Sequence, residues 1–296
     1  MAGTDVASGA PLTRNVQRLS PDDAEALCPL AIEAGWNQVA ADWRLMLQIG
    51  RGYGVRGAGG QWIASALSLP LGPSIAWLSM VLVTRPERRQ GLGSLLLSRC
   101  LADVEAAGLD AGLDATEHGR PIYLPLGFQD VYPLSRWHAA PGVRRSVTPP
   151  EGIALRQVAP GDLPRICAYD RTRSSFQREP VLAHLLGRPG DNGRIAERAD
   201  GALAGYALAR DGYRALHVGP VVAEDEATGL ALLGAALAAT RGPVIADIPD
   251  RHDILRRWLT EQGATAPRSF MRMVRAKAGH ADDTAHVFAL AGPELA

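Results

Sequence analysis

An arginine pair and two closely spaced glycines stand in the segment VLVTRPERRQGLGSLLL, which begins at Val81. A short apolar run comes first and leucines at helical spacing begin after Gly93, so the segment predicts a strand, a turn and a helix. Gly91 and Gly93 would let an anion approach exposed backbone N–H groups. The helix N-terminus and the arginines, Arg88 and Arg89, add positive potential. A turn with this chemistry suits a pyrophosphate.

Other nucleotide-binding turns fit this segment less well. A Walker loop needs Gly-Lys-Ser or Gly-Lys-Thr, which the segment lacks, and a dinucleotide-binding fingerprint needs a third glycine near Leu96. A glycine pair before a helix can also form a tight turn that binds nothing. The arginines and the preceding strand favour a phosphate site over a simple turn.

Two motifs carry a resemblance to a known family. The order Arg-x-x-Gly-x-Gly at residues 88–93 resembles the acyl-coenzyme A loop of the GNAT superfamily of N-acetyltransferases. Tyr123-Leu-Pro-Leu-Gly127-Phe128 is similar to the superfamily's Tyr-x-x-x-Gly-Phe segment, and it follows about one helix and one strand later, as the resemblance requires. The resemblance implies acetyl-coenzyme A (acetyl-CoA) as the cosubstrate.

The resemblance also implies roles for individual residues. The residues expected to contact acetyl-CoA are Val81, Leu82, Val83, Arg88, Arg89, Gln90, Gly91, Leu92, Gly93, Ser94 and Thr116. Thr116 replaces the asparagine that the family often has seven residues before its tyrosine (123 − 7 = 116), a departure that weakens coenzyme contacts there. Tyr123 is expected to protonate the departing thiolate, because a phenol with a reference pKa of about 10 stays protonated at neutral pH. A core tyrosine is the alternative interpretation.

Candidates for contacts with the acceptor amine lie in two places. Trp36 and Asn37 fall in a loop between two predicted helices and could line a substrate pocket, although a tryptophan at such a place more often closes the core. The acidic and imidazole candidates that lie on or just after one later strand are Asp110, Asp114, Glu117 and His118. One of these could relay the amine proton through water, and Glu117 is a predicted substrate contact.

Composition excludes several classes of partner. Lys plus Arg equals Asp plus Glu at 31 each, so no global field attracts nucleic acid or an anionic membrane. Cys28, Cys100 and Cys167 are far apart in apolar contexts, which predicts reduced, buried thiols and no metal site. The first fifteen residues lack the basic start and apolar core of a signal peptide. We expect a cytoplasmic monomer or homodimer that acts on a small-molecule amine and binds neither nucleic acid nor membrane.

Hydrophobic periodicity predicts the elements of the first half. They are a strand at 16–19, helices at 24–34 and 39–49, a hairpin around 57–60, a strand at 75–83, a helix at 95–106, a strand at 109–115, a helix at 120–126 and a strand at 128–137. The helix between the strands at 75–83 and 109–115 implies a parallel crossover. The predicted fold class is α/β (α+β), with two tandem GNAT-like domains, each a mixed, mostly antiparallel twisted sheet flanked by helices.

The second half of the chain repeats the first at one offset. Pro160 and Asp162 echo Pro21 and Asp23 (160 − 21 = 139). The copy has acidic residues where the first half has arginines, lacks the Gly-x-Gly pair, and has Leu259 in the place of Tyr123. We therefore expect residues 1–145 alone to bind the coenzyme and the second half alone not to bind it. The predicted divisions are a catalytic domain at 12–138, a linker at 139–151, a degenerate domain at 152–277 and a tail at 278–296.

These patterns predict an acetyl-CoA-dependent N-acetyltransferase. Its acceptor would be a primary amine of a small molecule or an amino-acid-like compound, which attacks the thioester directly. A non-catalytic acyl-CoA-binding or regulatory module is the alternative, because such a module needs the loop but not Tyr123. The degenerate copy could dock beside the active domain, wall the substrate pocket or make a dimer contact.

Overall fold

A computed structural model of the chain describes residues 15–141, 146–174, 176–188, 193–276 and 284–296. The first half contains strands β1 (Val16–Leu19), β2 (Arg51–Arg56), β3 (Trp62–Pro70), β4 (Ile75–Val83), β5 (Asp110–Thr116) and β6 (Gln129–Ala139). Its helices are α1 (Ala24–Glu33), α2 (Ala40–Ile49), α3 (Leu92–Ala106) and α4 (Arg120–Tyr123). The predicted elements are all present, and α3 begins at Leu92 rather than Leu95.

The second half repeats this order of elements. Its strands are β7 (Ile153–Gln157), β8 (Arg194–Arg198), β9 (Leu203–Arg210), β10 (Leu216–Ala223), β11 (Val244–Pro249) and β12 (Thr265–Arg275), followed by β13 (Val287–Ala289). Its helices are α5 (Leu163–Arg171), α6 (Glu179–Leu186), α7 (Glu226–Ala238) and α8 (Asp253–Glu261). None of the helices in the described ranges is long and apolar enough to cross a membrane.

The first helix of each half begins with the same local structure. Pro21 and Pro160 each open a 3-10 turn that leads into α1 and α5, respectively. In each turn an aspartate, Asp23 or Asp162, accepts a hydrogen bond from the backbone N–H three residues earlier, at 2.9 and 2.8 Å. Such a contact satisfies an N–H that the helix cannot satisfy itself. The sequence repeat is therefore also a structural repeat.

Within the described residues, the two halves share one sheet of thirteen strands. Its order is β1-β2-β3-β4-β5-β12-β6-β11-β10-β9-β8-β7, with β13 paired to β10. The last strand of each repeat lies in the other half: β12 pairs with β5, and β6 pairs with β11, all antiparallel. If each of the strands β1–β6 is exchanged with its counterpart among β7–β12, the same order results, read from the opposite edge of the sheet. Each half therefore completes the sheet of the other, and the fold is the predicted mixed, mostly antiparallel one.

The core also crosses between the halves. One cluster of buried apolar side chains contains Trp43 and Trp77 from the first half together with Phe176, Tyr206 and Leu295 from the second. The Trp77 Nε1 donates a hydrogen bond to the backbone oxygen of Pro293 at 2.8 Å. The predicted linker and tail fall partly outside the described residues, and the bounds of the domains remain predictions.

Candidate active site

The candidate site is a cleft between β4 and β5. These two strands pair in parallel at their starts, Ile75–Trp77 against Asp110–Gly112, and then separate. The separation follows a bulge at Met80, whose φ of +51° lies in the left-handed region. The Ser65 hydroxyl donates to the Met80 backbone oxygen at 2.8 Å and holds the bulge in place. Beyond the bulge, the backbone groups on this edge of β4 therefore face the cleft instead of pairing with β5.

The cleft has a volume of about 800 Å³ and is bordered by both halves of the chain. The lining residues that the sequence had singled out are Trp36, Val81, Leu82, Val83, Arg88, Gly93, Asp114, Thr116, Glu117, His118 and Tyr123. Most of the predicted site residues on β4, α3, β5 and α4 therefore lie around one cavity. Its size is in the range of small-molecule and cofactor sites.

The phosphate end of the cleft is the turn before α3. Gly91 has a φ of +78°, a left-handed conformation that permits the tight entry into the helix. The first intrahelical bond runs from Leu95 N to Gly91 O, so the N–H groups of Leu92, Gly93 and Ser94 have no acceptor within the helix. No side chain caps this end of α3. The turn offers several donors to an anion.

The side chains of this turn have different environments. Arg88 and Arg89 are exposed, and the Arg88 Nε donates to the Val83 backbone oxygen at 3.1 Å, which links the turn to the end of β4. Leu92 is buried and packs into the core, so it can contact a coenzyme through its backbone alone. The Gln90 Nε2 donates to the Pro86 oxygen at 3.3 Å. The chemistry of this turn fits the pyrophosphate of acetyl-CoA.

Tyr123 lies on α4 with its ring against Phe128, at a centroid distance of 5.9 Å in an edge-to-face arrangement. The residue is half-buried and borders the cleft. No hydrogen-bond partner for its hydroxyl is found in the described ranges. Burial raises the pKa of Tyr123 to about 12. A phenol that is protonated and faces the cleft is a suitable proton donor.

The turn after β5 holds the remaining predicted contacts. The Thr116 Oγ1 accepts a hydrogen bond from Gly119 N at 3.1 Å, so this side chain closes the turn. Glu117 and His118 are exposed side chains that border the cleft. Asp114 also borders it, but the carboxylate is bound by Arg272 of β12 through two hydrogen bonds of 2.8 and 2.9 Å.

Trp36 and Asn37, predicted as substrate contacts, have different positions. Trp36 borders the cleft and packs against the core that both halves share. Asn37 is buried and lies at a neighbouring cavity. Its side-chain oxygen accepts from the N–H groups of Arg214 and Ala215 at 2.9 and 3.1 Å, and its Nδ2 donates to the Ala215 oxygen at 2.9 Å. The Asn37 amide therefore links the two halves of the chain.

The second half contributes side chains to the cleft that could not be predicted from the sequence. Arg268 and Phe270 of β12 and Glu294 near the end of the chain border the cleft. In the sequence, these residues lie more than a hundred positions after the first-half residues of the cleft, and they belong to no motif. This arrangement agrees with the interpretation that the second copy walls the substrate pocket.

Buried ion pairs surround the inner end of the cleft. Arg210 pairs with Asp42 at 2.7 Å and with Glu294, and all three side chains are buried. Arg136 donates two hydrogen bonds of 2.8 Å to Asp247. Burial alone would raise the pKa of Asp247, but the charge and hydrogen bonds of Arg136 outweigh it and hold that pKa well below its usual value. Asp247 is thus neutralised by an arginine and is a poor proton acceptor.

The equivalent cleft of the second half is closed. Strands β10 and β11 pair at Leu216 and His217 and then separate. In this gap β13 pairs with β10, and the Leu290 N–H donates to the Asp247 backbone oxygen of β11 at 2.8 Å. Helix α7 is capped by the Asp225 carboxylate, which accepts from Thr228 N at 2.8 Å. The chain itself fills the space that the first half leaves open.

Residues 166–289 match the family model described as acetyltransferase (GNAT) domain. This range lies in the second half, so the match supports that the copy keeps the fold although its cleft is closed. No curated protein matches the chain.

Solved structures are similar to the chain over most of its length. A candidate acetyltransferase from Pyrococcus horikoshii has 18% identity and a TM-score of 0.75, covering 95% of each chain. A GCN5-related N-acetyltransferase from Sphaerobacter thermophilus has 17% identity and a TM-score of 0.64, covering 93% of this chain and 99% of its own. A tandem GNAT protein from the clavulanic acid biosynthesis pathway has 18% identity and a TM-score of 0.58, covering 90% of this chain and 100% of its own. The chain therefore has the fold of the GNAT acetyltransferases over both of its halves, and its second half matches the GNAT domain model.

Proposed function

We propose that the chain is an acetyl-CoA-dependent N-acetyltransferase that uses the cleft between β4 and β5. The observation that carries this proposal is the arrangement of three features around one cavity. They are the open end of β4, the uncapped N-terminus of α3 beside Arg88, and the Tyr123 hydroxyl. The first can hold the pantetheine arm, the second the pyrophosphate, and the third the departing thiolate. The acceptor is a primary amine of a small molecule or an amino-acid-like compound.

The residues of the chain supply different parts of the reaction. Backbone groups of Leu82 and Val83 orient the thioester carbonyl and can donate to the developing oxyanion. The amine nitrogen attacks the carbonyl carbon, the carbon–sulfur bond breaks, and Tyr123 gives its proton to the sulfur. The amine must also lose a proton. Asp110, at the start of β5, is not among the residues that border the cleft, and Asp114 is held by Arg272. That leaves the exposed Glu117 and His118 as groups that can accept this proton, directly or through water.

A titration followed by an assay tests the proposal. Calorimetry with acetyl-CoA should show binding to the full chain, and thiol release over a panel of primary amines should then show turnover. The Tyr123→Phe variant separates the enzyme from a binding module. For an enzyme, the substitution should lower thiol release. An acyl-CoA-binding module would bind acetyl-CoA, and neither the wild-type chain nor the variant would release thiol with any amine. Absence of acetyl-CoA binding to the wild-type chain would overturn both interpretations.

A further inference from the structure

Three charged residues lie side by side across neighbouring strands. Arg268 of β12 is the register partner of Arg136 on β6, and Arg136 is the register partner of Asp247 on β11. Like charges at directly opposed positions of a sheet are destabilising unless an anion compensates them. The row therefore contains two cations and one carboxylate.

The carboxylate in this row is fully engaged. Asp247 accepts both hydrogen bonds of Arg136, and the Nε2 of His217 lies 3.1 Å from it. Arg268 has no ion-pair partner in the described ranges of the chain, although the residue is half-buried. Burial, followed by the charge of Arg136, lowers the pKa of Arg268. An anion placed beside this guanidinium would counteract both effects, because its charge favours the protonated form.

Arg268 also lies where two cavities meet. It borders the cleft described above and a second cavity of about 710 Å³, and Arg136 and Pro267 border both as well. The described lining of the second cavity, which we call the arginine cavity, contains Arg136, Arg214 and Arg268 and no aspartate or glutamate. Burial and the charge of Arg136 lower the pKa of His138, which also lines it, so this imidazole is neutral near pH 7. The cavity therefore has a positive potential without an internal anion.

We propose that the arginine cavity binds the carboxylate of the acceptor, so that the substrate is an amine that also carries a carboxylate. This inference rests on the proposed function, because it places the amine of the same molecule in the first cleft. Arg268 can donate two parallel hydrogen bonds to a carboxylate, and the exposed Arg214 adds a second positive charge at the cavity. Arg268 is thus a specificity-determining residue.

A series of ω-amino acids and their carboxamides tests this assignment. Each pair has the same length and differs in one charge, and the series varies the separation between amine and carboxylate. The wild-type protein should acetylate at least one acid with a kcat/KM about 10- to 100-fold above that of its amide, as expected for a charge-assisted contact. Equal kcat/KM values for acids and amides across the series would overturn the proposal.

Variants locate the effect at Arg268. Arg268→Ala should lower the acid preference to about one by raising KM, and Arg268→Lys should restore part of it. Arg275→Ala is the matched control, because Arg275 lies on the same strand but pairs at the surface with Glu105. An acid preference that survives in Arg268→Ala, or that Arg275→Ala removes equally, would contradict the assignment. Circular dichroism of each variant verifies the fold.

A binding experiment separates this proposal from the proposed function. Calorimetric titration of the ω-amino acids onto protein saturated with coenzyme A requires no turnover. Acid binding that depends on Arg268 in a protein that acetylates no amine would support the anion site and contradict the transferase. Acetylation with no acid preference would support the transferase and contradict the anion site.

Discussion

Arg272 of β12 donates two hydrogen bonds to Asp114 of β5, so a side chain of the second half neutralises a carboxylate in the cleft of the first. Both side chains are buried, at 2% and 0% exposure. The Arg272 guanidinium also lies 4.5 Å from the centre of a Trp77 ring. This pair connects the strand exchange to the candidate active site.

Removal of Arg272 should be strongly destabilising. Arg272→Ala leaves Asp114 as an uncompensated buried charge, which typically costs about 3–5 kcal/mol of unfolding free energy. Urea denaturation measures this loss. Arg120→Ala, which breaks the exposed pair with Asp130, is the control and should change the stability little. Equal effects of the two variants would contradict a structural role for the Arg272–Asp114 pair.

Separation of the halves should prevent folding. An isolated first half lacks β12, so β5 and β6 lose the strand that lies between them. The expectation that residues 1–145 bind the coenzyme on their own stays a prediction, and the exchange of β6 and β12 argues against it. We now expect this fragment to give no cooperative thermal transition, and co-expression with residues 146–296 to restore one. A cooperative transition in the fragment alone would contradict the strand exchange.

The glycine at the start of α3 should be essential for coenzyme binding. Gly91 and Gly108 lie at opposite ends of α3, both have positive φ values, +78° and +70°, and a Cβ at either would meet no atom within 4 Å. Alanine at either position therefore carries a similar backbone strain, about 1–2 kcal/mol. Gly91→Ala should weaken acetyl-CoA binding in calorimetry, whereas Gly108→Ala should not. Equal acetyl-CoA affinities of the Gly91→Ala and Gly108→Ala variants would show that the pyrophosphate does not bind at this turn.

The sequence allowed the prediction of features that depend on neighbouring residues. The bounds of β4, the turn at Gly91 and the repeat at Pro21 and Pro160 follow from local periodicity, glycine chemistry and helix capping. The bulge at Met80 could not be predicted, because a non-glycine residue with positive φ leaves no sequence signal and is maintained by the surrounding sheet.

Contacts between distant strands could not be predicted either. Nothing in the sequence near Arg268 indicates that β12 inserts between β5 and β6, because pairing partners in a sheet are not encoded by local pattern. The closure of the second cleft by β13 could not be predicted for the same reason. The missing glycine pair indicated loss of the phosphate site, but not that Val287–Ala289 would occupy the gap.

The protein's thiols should be unreactive in the folded state. Burial raises the pKa of Cys100 to about 12, and burial also raises the pKa of Cys28 and of Cys167. Because thiolates are the reactive species, a disulfide reagent should modify the folded protein slowly and all 3 cysteines after unfolding. Cys100 and Cys167 are buried, whereas Cys28, which was also expected to be buried, is half-buried. Rapid modification of the folded chain would contradict the raised pKa values of these thiols. Slow modification also means that the same reagent reports released coenzyme A without interference.

The role of Tyr123 has a specific pH signature. Its pKa of about 12 means that the phenol carries its proton below that pH and loses it only above. Thiol release should therefore not decline between about pH 7 and pH 10 through ionisation of Tyr123, as it would for an unperturbed phenol with a pKa of about 10. Tyr123→Phe should lower turnover by about 10²-fold or more. Tyr213→Phe, at an exposed tyrosine, is the control.

A structural role for Tyr123 predicts a different result. Loss of its hydroxyl would then leave turnover near the wild-type level and change only the melting temperature. Measurement of rate and melting on the same variant distinguishes the two roles.

Calorimetric titration of the full chain with acetyl-CoA measures whether the cleft between β4 and β5 is a coenzyme site. We expect a single site per chain, because the cleft between β4 and β5 is open whereas β13 fills the gap between β10 and β11. Arg88→Glu should abolish this binding, since it places a negative charge beside the pyrophosphate. Binding that persists unchanged in Arg88→Glu, or a stoichiometry of two per chain, would contradict the account.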